Sequence, residues 1–228
     1  MPSILGAKKA GTAGLILRHD IDISIEKAQE MAEIEKEIGV KSTYMVMINS
    51  PFYRIQDNNS KSILQRLIKI GHNIGLHYDI GYKQRKNACN INTINSEIYR
   101  SRKKLEAIVG APILSLSFHR PLQQFLWGPL RVCKMVNAYS KELMGCYFSE
   151  SKGSWRDKDF LSKLLRSSKN ISIAQLLIHP IWWGDRHMPP YNRLQGFFKN
   201  ETKGRSLRYT KLFDRALADA VPAVWGKP

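Results

Sequence analysis

Cysteine is scarce in this 228-residue chain, and the cysteines present are not arranged in pairs. The three residues Cys89, Cys133 and Cys146 are widely spaced and form no CxxC motif. Such a set excludes a disulfide framework and a thiolate zinc site, and it is typical of proteins kept in a reducing compartment. We therefore expect a cytoplasmic protein whose cysteines are plain thiols.

Long apolar runs are missing as well. No stretch of about 18 apolar residues occurs that would cross a bilayer as a helix. The apolar stretch Leu15–Leu17 leads directly into Arg18, His19 and Asp20, so it is too short and too soon charged for a signal peptide. No transmembrane segment is expected, and any contact with a membrane would be peripheral.

The sequence also lacks internal repeats, low-complexity tracts and linkers rich in proline, glycine or serine. Nothing divides the chain, and its length suits one domain with a substantial core. We predict a single domain over residues 1–228. The tail from 191 to 228 shows no clear pattern apart from a candidate closing helix over Leu212–Val221.

Acidic residues are few, 19 against 36 lysines and arginines, which gives a net charge of +17. A field of this sign attracts nucleic acid, anionic lipid, acidic glycan or a nucleotide-linked sugar. The basic residues gather at 83–86, 100–104 and 199–208. Because a charge run on a helix is also typical of a solvated face, the charge predicts attraction to an anion and no particular chemistry.

Strand-like and helix-like segments alternate through the chain. Short apolar runs predict buried strands, and amphipathic stretches predict the helices between them. This alternation is typical of a mostly parallel sheet. With six predicted strands, an open or distorted (β/α) barrel fits best, and a doubly wound sheet is the alternative. The predicted strands are 14–20, 42–48, 72–78, 113–119, 145–149 and 171–178, and the predicted helices are 24–38, 60–70, 92–109, 130–143 and 157–166.

Polar residues collect at the ends of the predicted strands. Asp20 and Asp22 close the first strand, His77 the third, His119 the fourth and His179 the sixth. In parallel α/β folds, ligands gather at the carboxyl ends of strands. Asp20 and Asp22 are two residues apart and project from one face, where two carboxylates repel unless a cation lies between them. These residues favour a divalent metal site with His77 as nitrogen ligand.

Each of these residues taken alone has a structural explanation. Asp22 or Ser24 is a good helix N-cap, and His19 fits a buried, hydrogen-bonded core position. The constellation argues against this explanation, because four of the six histidines lie at strand ends.

The segments around these residues resemble the polysaccharide deacetylase family (carbohydrate esterase family 4), in a divergent branch with an HDxD motif. The resemblance covers about residues 15–183, with order and spacing in agreement throughout. It implies a distorted (β/α)7 barrel and a metal-dependent hydrolase that removes an acetyl group from an N-acylated sugar. The matching segments are LRHDID (17–22), AQEMAEIEKEIGVKSTYM (28–45), GHNIGLHYD (71–79), SFHRP (117–121), SESKGSWR (149–156) and LIHPIWW (177–183).

The resemblance also implies roles for particular residues. Asp20 matches the general base, Asp22 the metal-binding aspartate and His77 the first metal histidine. Arg120 matches the arginine that orients the base, and His179 the histidine that acts as general acid. Aromatic side chains suit the apolar faces of sugar rings, and core packing is their alternative role. The predicted substrate contacts are Tyr78, Trp155, Trp182 and Trp183.

One position departs from the family pattern. The family carries a second metal histidine four residues after the first, where this chain has Gly81. His119 is the candidate for the missing nitrogen ligand, and Asp79 for an oxygen ligand. Strict alternation sets His119 and Arg120 on opposite faces, so both reach the site only if a bulge precedes Pro121. Zinc is the expected metal, with cobalt, nickel and iron as alternatives.

Three functions remain open at this point. The first is a deacetylase acting on a carbohydrate, including an anionic one or one linked to lipid or nucleotide. The second is another metal-dependent amide hydrolase. The third is a non-catalytic basic protein on the same fold that binds anionic glycan or nucleic acid. The strand-end constellation favours the first function, whereas Gly81 and the net charge favour the third.

Overall fold

The computed structural model describes residues 14–80, 90–167 and 173–201, and strands alternate with helices along them. The helices are α1 (Ile25–Glu37), α2 (Asn58–Lys69), α3 (Ile91–Val109), α4 (Lys141–Met144), α5 (Phe160–Ser167) and α6 (Pro190–Glu201). The strands are β1 (Gly14–Ile21), β2 (Thr43–Val46), β3 (Asn73–Tyr78), β4 (Ser115–Phe118), β5 (Arg131–Val132), β6 (Met135–Asn137), β7 (Tyr147–Ser151), β8 (Ser154–Trp155) and β9 (Ile173–Ile178).

These strands form one sheet in the order β5-β6-β4-β3-β2-β1-β9-β7-β8. The seven strands from β6 to β7 in that order run parallel, and β5 and β8 pair antiparallel at the two edges. Because β1 lies between β2 and β9, the parallel strands follow chain order around a ring that is open between β6 and β7. The architecture is therefore the predicted open (β/α)7 barrel, and the doubly wound alternative is excluded.

Contacts across the interior show how strongly the sheet curls. Neighbouring strands lie about 4.8 Å apart, so β1 and β4 would be about 14 Å apart in a flat sheet. Ser117 Oγ on β4 nevertheless lies 3.5 Å from Asp20 Oδ1 on β1. Across the opening, the buried amide of Gln175 on β9 donates to the carbonyl of Ala138, just after β6, at 2.8 Å. Interior side chains of distant strands can therefore act together.

A buried polar cluster fastens α1 to the outside of the sheet. His19 Nε2 on β1 lies 2.7 Å from Glu35 Oε1 on α1. The other oxygen of Glu35 accepts hydrogen bonds from Ser42 Oγ at 2.6 Å and from the Tyr44 hydroxyl at 2.8 Å. His72 joins the cluster, with Nδ1 3.1 Å from Ser42 Oγ. These partners satisfy a carboxylate that would be costly to bury alone, and they keep His19 and His72 out of the barrel interior.

Residues 130–143 correct one sequence prediction. They were expected to form a helix, but they form the β5–β6 hairpin followed by the four-residue α4. Cys133 and Lys134 make the two-residue turn of the hairpin, with φ of 48° and 64°. Turns of this kind are normally marked by asparagine or glycine. Because that signal is missing, the sequence did not reveal β6, the seventh parallel strand.

The helix ends follow local signals elsewhere. Ser24 caps α1, because its Oγ accepts a hydrogen bond from the backbone N–H of Lys27 at 3.1 Å. Gly110 ends α3 in the left-handed conformation, with φ of 71°. Helix α6, which the sequence did not predict, begins at Pro190, a residue preorganised for a first helical turn. The helix predicted over Leu212–Val221 lies outside the described residues.

None of the described helices is both long and apolar enough to span a bilayer.

Candidate active site

Asp22, His77 and His119 bring one oxygen and two nitrogen atoms together at the carboxyl ends of β1, β3 and β4. His77 Nε2 lies 3.1 Å and His119 Nδ1 lies 3.3 Å from Asp22 Oδ1. Two ligand atoms about 2.1 Å from a tetrahedral zinc are themselves about 3.4 Å apart, so this spacing fits one shared cation. Asp22 Oδ1 is buried and makes no well-formed hydrogen bond to any described residue, which leaves its lone pairs available to that cation. A candidate Asp/His/His metal site is therefore present.

The end of β4 explains why His119 reaches this site. His119 continues the alternation of Ser115 and Ser117, whose buried side chains face the interior. At Arg120 the backbone then turns left-handed, with φ of 84°, and the side chain is exposed at the cavity rim. His119 thus joins the site by alternation alone, and no bulge is needed because Arg120 does not enter the centre. Gly81 lies outside the described residues.

Asp20, the predicted base, is held by Arg18, although the resemblance assigned this task to Arg120. Arg18 Nε donates to Asp20 Oδ1 and Arg18 Nη2 donates to Asp20 Oδ2, both at 2.9 Å. The guanidinium also donates to Gln175 Oε1 at 3.2 Å and to the Tyr139 hydroxyl at 2.8 Å. Burial raises the pKa of Asp20, but the Arg18 guanidinium outweighs burial and holds that pKa below its ordinary value. Asp20 is therefore ionised at neutral pH.

Ser117 connects the metal site to Asp20. Its Oγ lies 2.6 Å from His77 Nδ1 and donates weakly to Asp20 Oδ1 at 3.5 Å. If the hydroxyl donates to Asp20, His77 Nδ1 carries the proton that Ser117 accepts, and His77 Nε2 keeps its lone pair towards Asp22. Hydrogen bonds of this outer-shell kind orient metal ligands and raise their basicity.

His179, the predicted acid, faces the site from the end of β9. Its Nε2 lies 3.8 Å from Asp22 Oδ2, and its Nδ1 lies 3.3 Å from Glu150 Oε2 on β7. Glu150 also accepts hydrogen bonds from the backbone N–H groups of His179 at 3.0 Å and Gly153 at 2.7 Å. Burial lowers the pKa of His179, but Glu150, Asp22 and Asp20 outweigh burial and raise that pKa to about 9. The imidazole is therefore protonated at neutral pH.

One cavity of about 500 Å³ is lined by the carboxylates and imidazoles of this site, namely Asp20, Asp22, His77, His119, Glu150 and His179. Trp182, one of the predicted sugar contacts, lies on its wall. Trp155 instead stacks on Phe160, with ring centroids 4.0 Å apart, and Trp183 meets Trp155 edge-on at 6.4 Å. Of the three predicted tryptophans, Trp182 is thus the one that lines this cavity.

Side-chain alternation explains why one predicted substrate contact lies outside the cavity. It also explains the positions of two site residues that the sequence analysis missed. Tyr78, predicted to contact substrate, points out of the barrel, and its hydroxyl donates to Glu97 on α3 at 2.5 Å. Arg18 and Ser117 share the interior face with the predicted site residues on their own strands, so a stricter use of alternation would have found them. Alternation could not have predicted the pairing of Glu150 with His179, because the two residues come from different strands.

Comparisons with known proteins were made on the sequence and on the fold. No family model matches the chain, and no curated protein matches it either. Solved structures do match. The structural neighbours of this chain are carbohydrate esterase family 4 (CE4) proteins.

Three neighbours illustrate the range of these matches. A mutant of the Bacillus subtilis peptidoglycan deacetylase PdaC is 14% identical, with 90% of this chain and 85% of that chain covered and a TM-score of 0.47. A family 4 acetyl xylan esterase from Clostridium thermocellum, in complex with cobalt, is 12% identical, with 82% and 84% covered and a TM-score of 0.43. A mutant of a CE4 family pseudoenzyme from Bacillus anthracis is 14% identical, with 74% and 57% covered and a TM-score of 0.47.

The chain thus spans 57% of the length of the pseudoenzyme that it matches. At these identities and TM-scores, the likeness transfers no activity. A function for this chain therefore has to be inferred from the side chains of the site.

Proposed function

We propose that this chain is a metal-dependent hydrolase that removes an acyl group, typically acetyl, from an N-acylated sugar. The observation that carries the proposal is the set of groups that meet in the cavity. Beside the candidate cation site of Asp22, His77 and His119, Asp20 Oδ2 lies 3.7 Å from His77 Nδ1 and His179 Nε2 lies 3.8 Å from Asp22 Oδ2. The carboxylate of Asp20 is ionised and the imidazole of His179 is protonated. Amide hydrolysis at neutral pH uses these three elements, a Lewis acid, a base and an acid.

The two residues that flank the candidate cation site have complementary tasks. A divalent cation supplies Lewis acidity, which lowers the pKa of a water molecule and polarises the acyl carbonyl. Asp20 accepts the proton of the attacking water on its carboxylate, which Arg18 keeps ionised and aligned. His179 donates its Nε2 proton to the departing amine as the carbon–nitrogen bond breaks. The products are a carboxylic acid and a free amino sugar.

The choice of metal, substrate and compartment has its own support. Aspartate and histidine ligands suit zinc, with cobalt, nickel and iron as alternatives. A sugar substrate is supported by the resemblance of the sequence segments around the site and by the indole of Trp182 on the cavity wall. The scarce, unpaired cysteines support a reducing compartment such as the cytoplasm.

Metal content and acetate release, measured on the same samples, test the proposal. Purified protein should contain one divalent ion per chain by elemental mass spectrometry and should release acetate from N-acetylglucosamine oligomers. Asp22→Ala should lose both. Asp20→Asn should keep the metal and lose about 100-fold or more of the rate. Asp159→Ala, at an exposed aspartate, is the matched control and should keep both.

Two results would contradict the proposal. One is wild-type protein without a stoichiometric divalent ion whose behaviour does not change when zinc, cobalt or nickel is added. The other is protein that binds metal and releases no acetate from any glycan. The net charge of +17 would then favour the non-catalytic binding protein, whose affinity for nucleic acid or anionic glycan should fall steeply with salt.

A further inference from the structure

Three basic side chains line the same cavity without a role in the hydrolysis. They are Arg120 after β4, Lys152 at the β7–β8 turn and Arg156 after β8. Arg120 and Arg156 are exposed and Lys152 is half-buried, so all three meet solvent at the rim. The carboxylates deeper in the cavity have partners of their own, as Asp20 has in Arg18 and Glu150 has in His179. Asp20 and Glu150 therefore do not depend on the rim cations for neutralisation.

The backbone at two of these cations adopts a conformation that other residues would adopt more easily. Lys152 and Gly153 form the two-residue turn between β7 and β8, with φ of 57° and 76°. Asparagine or glycine is favoured at the first position of such a turn, because a side chain with a Cβ is strained there. Arg120 is also left-handed. Strained residues are found at functional sites as well as in tight turns such as the one at Lys134, and both Arg120 and Lys152 line the cavity.

Neither Lys152 nor Arg156 uses its charge within the described part of the chain. The side chain of neither makes an ion pair or a hydrogen bond with a described residue, although the backbone N–H of Arg156 donates to the Ser149 carbonyl. The neighbouring carboxylate of Asp157 forms an ion pair with Lys163 instead, with Nζ 2.6 Å from Oδ2. Two charges thus remain available to a ligand at the mouth of the cavity.

We infer that Arg120, Lys152 and Arg156 bind a phosphate group on the substrate, so that the sugar is joined to a phosphate or a diphosphate. Guanidinium groups bind phosphate oxygens in pairs, and lysine adds a point charge. Three cations that line one cavity match a doubly charged group better than they match the single charge of a carboxylate. The overall positive field would draw such a substrate in. This inference rests on the proposed function and narrows its substrate class.

Lys152→Gly and its matched control Lys134→Gly test the inference. Both lysines occupy left-handed positions in two-residue hairpin turns, but Lys134, exposed in the β5–β6 turn, is not among the described residues that line the cavity. Each change removes one charge and relieves the same kind of strain. Neither should lower the melting temperature, so a loss confined to Lys152→Gly reports ligand binding.

The probes are N-acetylglucosamine 1-phosphate and unphosphorylated N-acetylglucosamine. Wild-type protein should bind the phosphorylated sugar more tightly in calorimetry and deacetylate it with a higher kcat/KM, in each case by about tenfold or more. Lys152→Gly and Arg156→Gln should lose most of that preference, whereas Lys134→Gly should retain it. Uridine diphosphate N-acetylglucosamine and a short polyprenyl diphosphate N-acetylglucosamine then distinguish a nucleotide carrier from a lipid carrier.

The outcomes separate this inference from the function on which it rests. Equal kcat/KM for both sugars, unchanged in Lys152→Gly, would overturn the phosphate site and leave the deacylase in place. Binding of N-acetylglucosamine 1-phosphate that depends on Lys152, with no acetate released from any probe, would support the phosphate site and overturn the deacylase.

Discussion

At the scale of single residues, Arg18 and Asp20 are a buried ion pair, with side chains 1% and 2% exposed. Removing one partner leaves the other charge buried and uncompensated. Arg18→Met should therefore lower the free energy of unfolding by about 3–5 kcal/mol, measured by urea denaturation. The double variant Arg18→Met/Asp20→Asn should lose clearly less than the sum of the two single changes, because it removes both charges.

Arg66→Met is the control for this prediction. Arg66 also holds a carboxylate in two-point contact, that of Glu33 at 2.8 and 3.1 Å, but the side chains are 38% and 33% exposed. Water and salt screen such a pair, so its loss should change stability little. If Arg18→Met were no more destabilising than Arg66→Met, the interior would be far more hydrated than the structure indicates.

His179 carries a prediction about pH. In metal-free protein its imidazole should titrate at about pH 9 in an NMR experiment, because Glu150 and Asp22 outweigh the effect of burial. The folded pKa lies above the unfolded value of about 6.5, so the stabilisation is complete below pH 6.5 and is lost as pH rises through about 9. Glu150→Gln should move the titration to lower pH. An unchanged titration in that variant would exclude Glu150 as the cause.

At the scale of elements, the interior of the sheet has no room for a side chain on the middle of β3. A Cβ on Gly75 would overlap Met45 Sδ on β2 and Ser115 Oγ on β4. Gly75→Ala should therefore cost about 1–3 kcal/mol of stability in urea denaturation. Gly145→Ala is the matched control and should cost little, because a Cβ there meets nothing within 4 Å and the backbone is already helical. Equal effects of the two changes would show that the strands shift to make room.

Elements also differ in how well the sequence revealed them. Strands β1 and β3 carry clear apolar runs, and Ser24 and Gly110 mark helix ends with their own chemistry, so their positions were predicted closely. The β5–β6 hairpin was missed because Cys133 and Lys134 occupy positions where glycine or asparagine would have signalled a turn. Tertiary packing holds this turn against local preference.

At the scale of the whole molecule, metal binding should couple to folding. A ligand that binds only the folded chain adds about 2.7 kcal/mol of stability at a concentration of 100 times its Kd. Zinc should therefore raise the melting temperature of the wild-type protein and of Asp159→Ala, but not that of Asp22→Ala. An equal rise in all three proteins would place the bound zinc away from Asp22.

The sequence by itself determined which residues share a face. Strand alternation is local, so it set Asp20 and Asp22 on one face at the end of β1 and turned His77 to the interior face of β3. Local signals likewise determined most of the alternation of strands and helices, but they left the open barrel and the doubly wound sheet as alternatives.

Tertiary structure alone decided which of these faces meet. Only the curl of the sheet brings Ser117 within reach of Asp20, and only the left-handed backbone at Arg120 places that side chain at the rim of the cavity. Alternation along β1 already places Arg18 beside Asp20, but only the distance between β1 and the end of β4 decided that Arg120 is not the partner of Asp20.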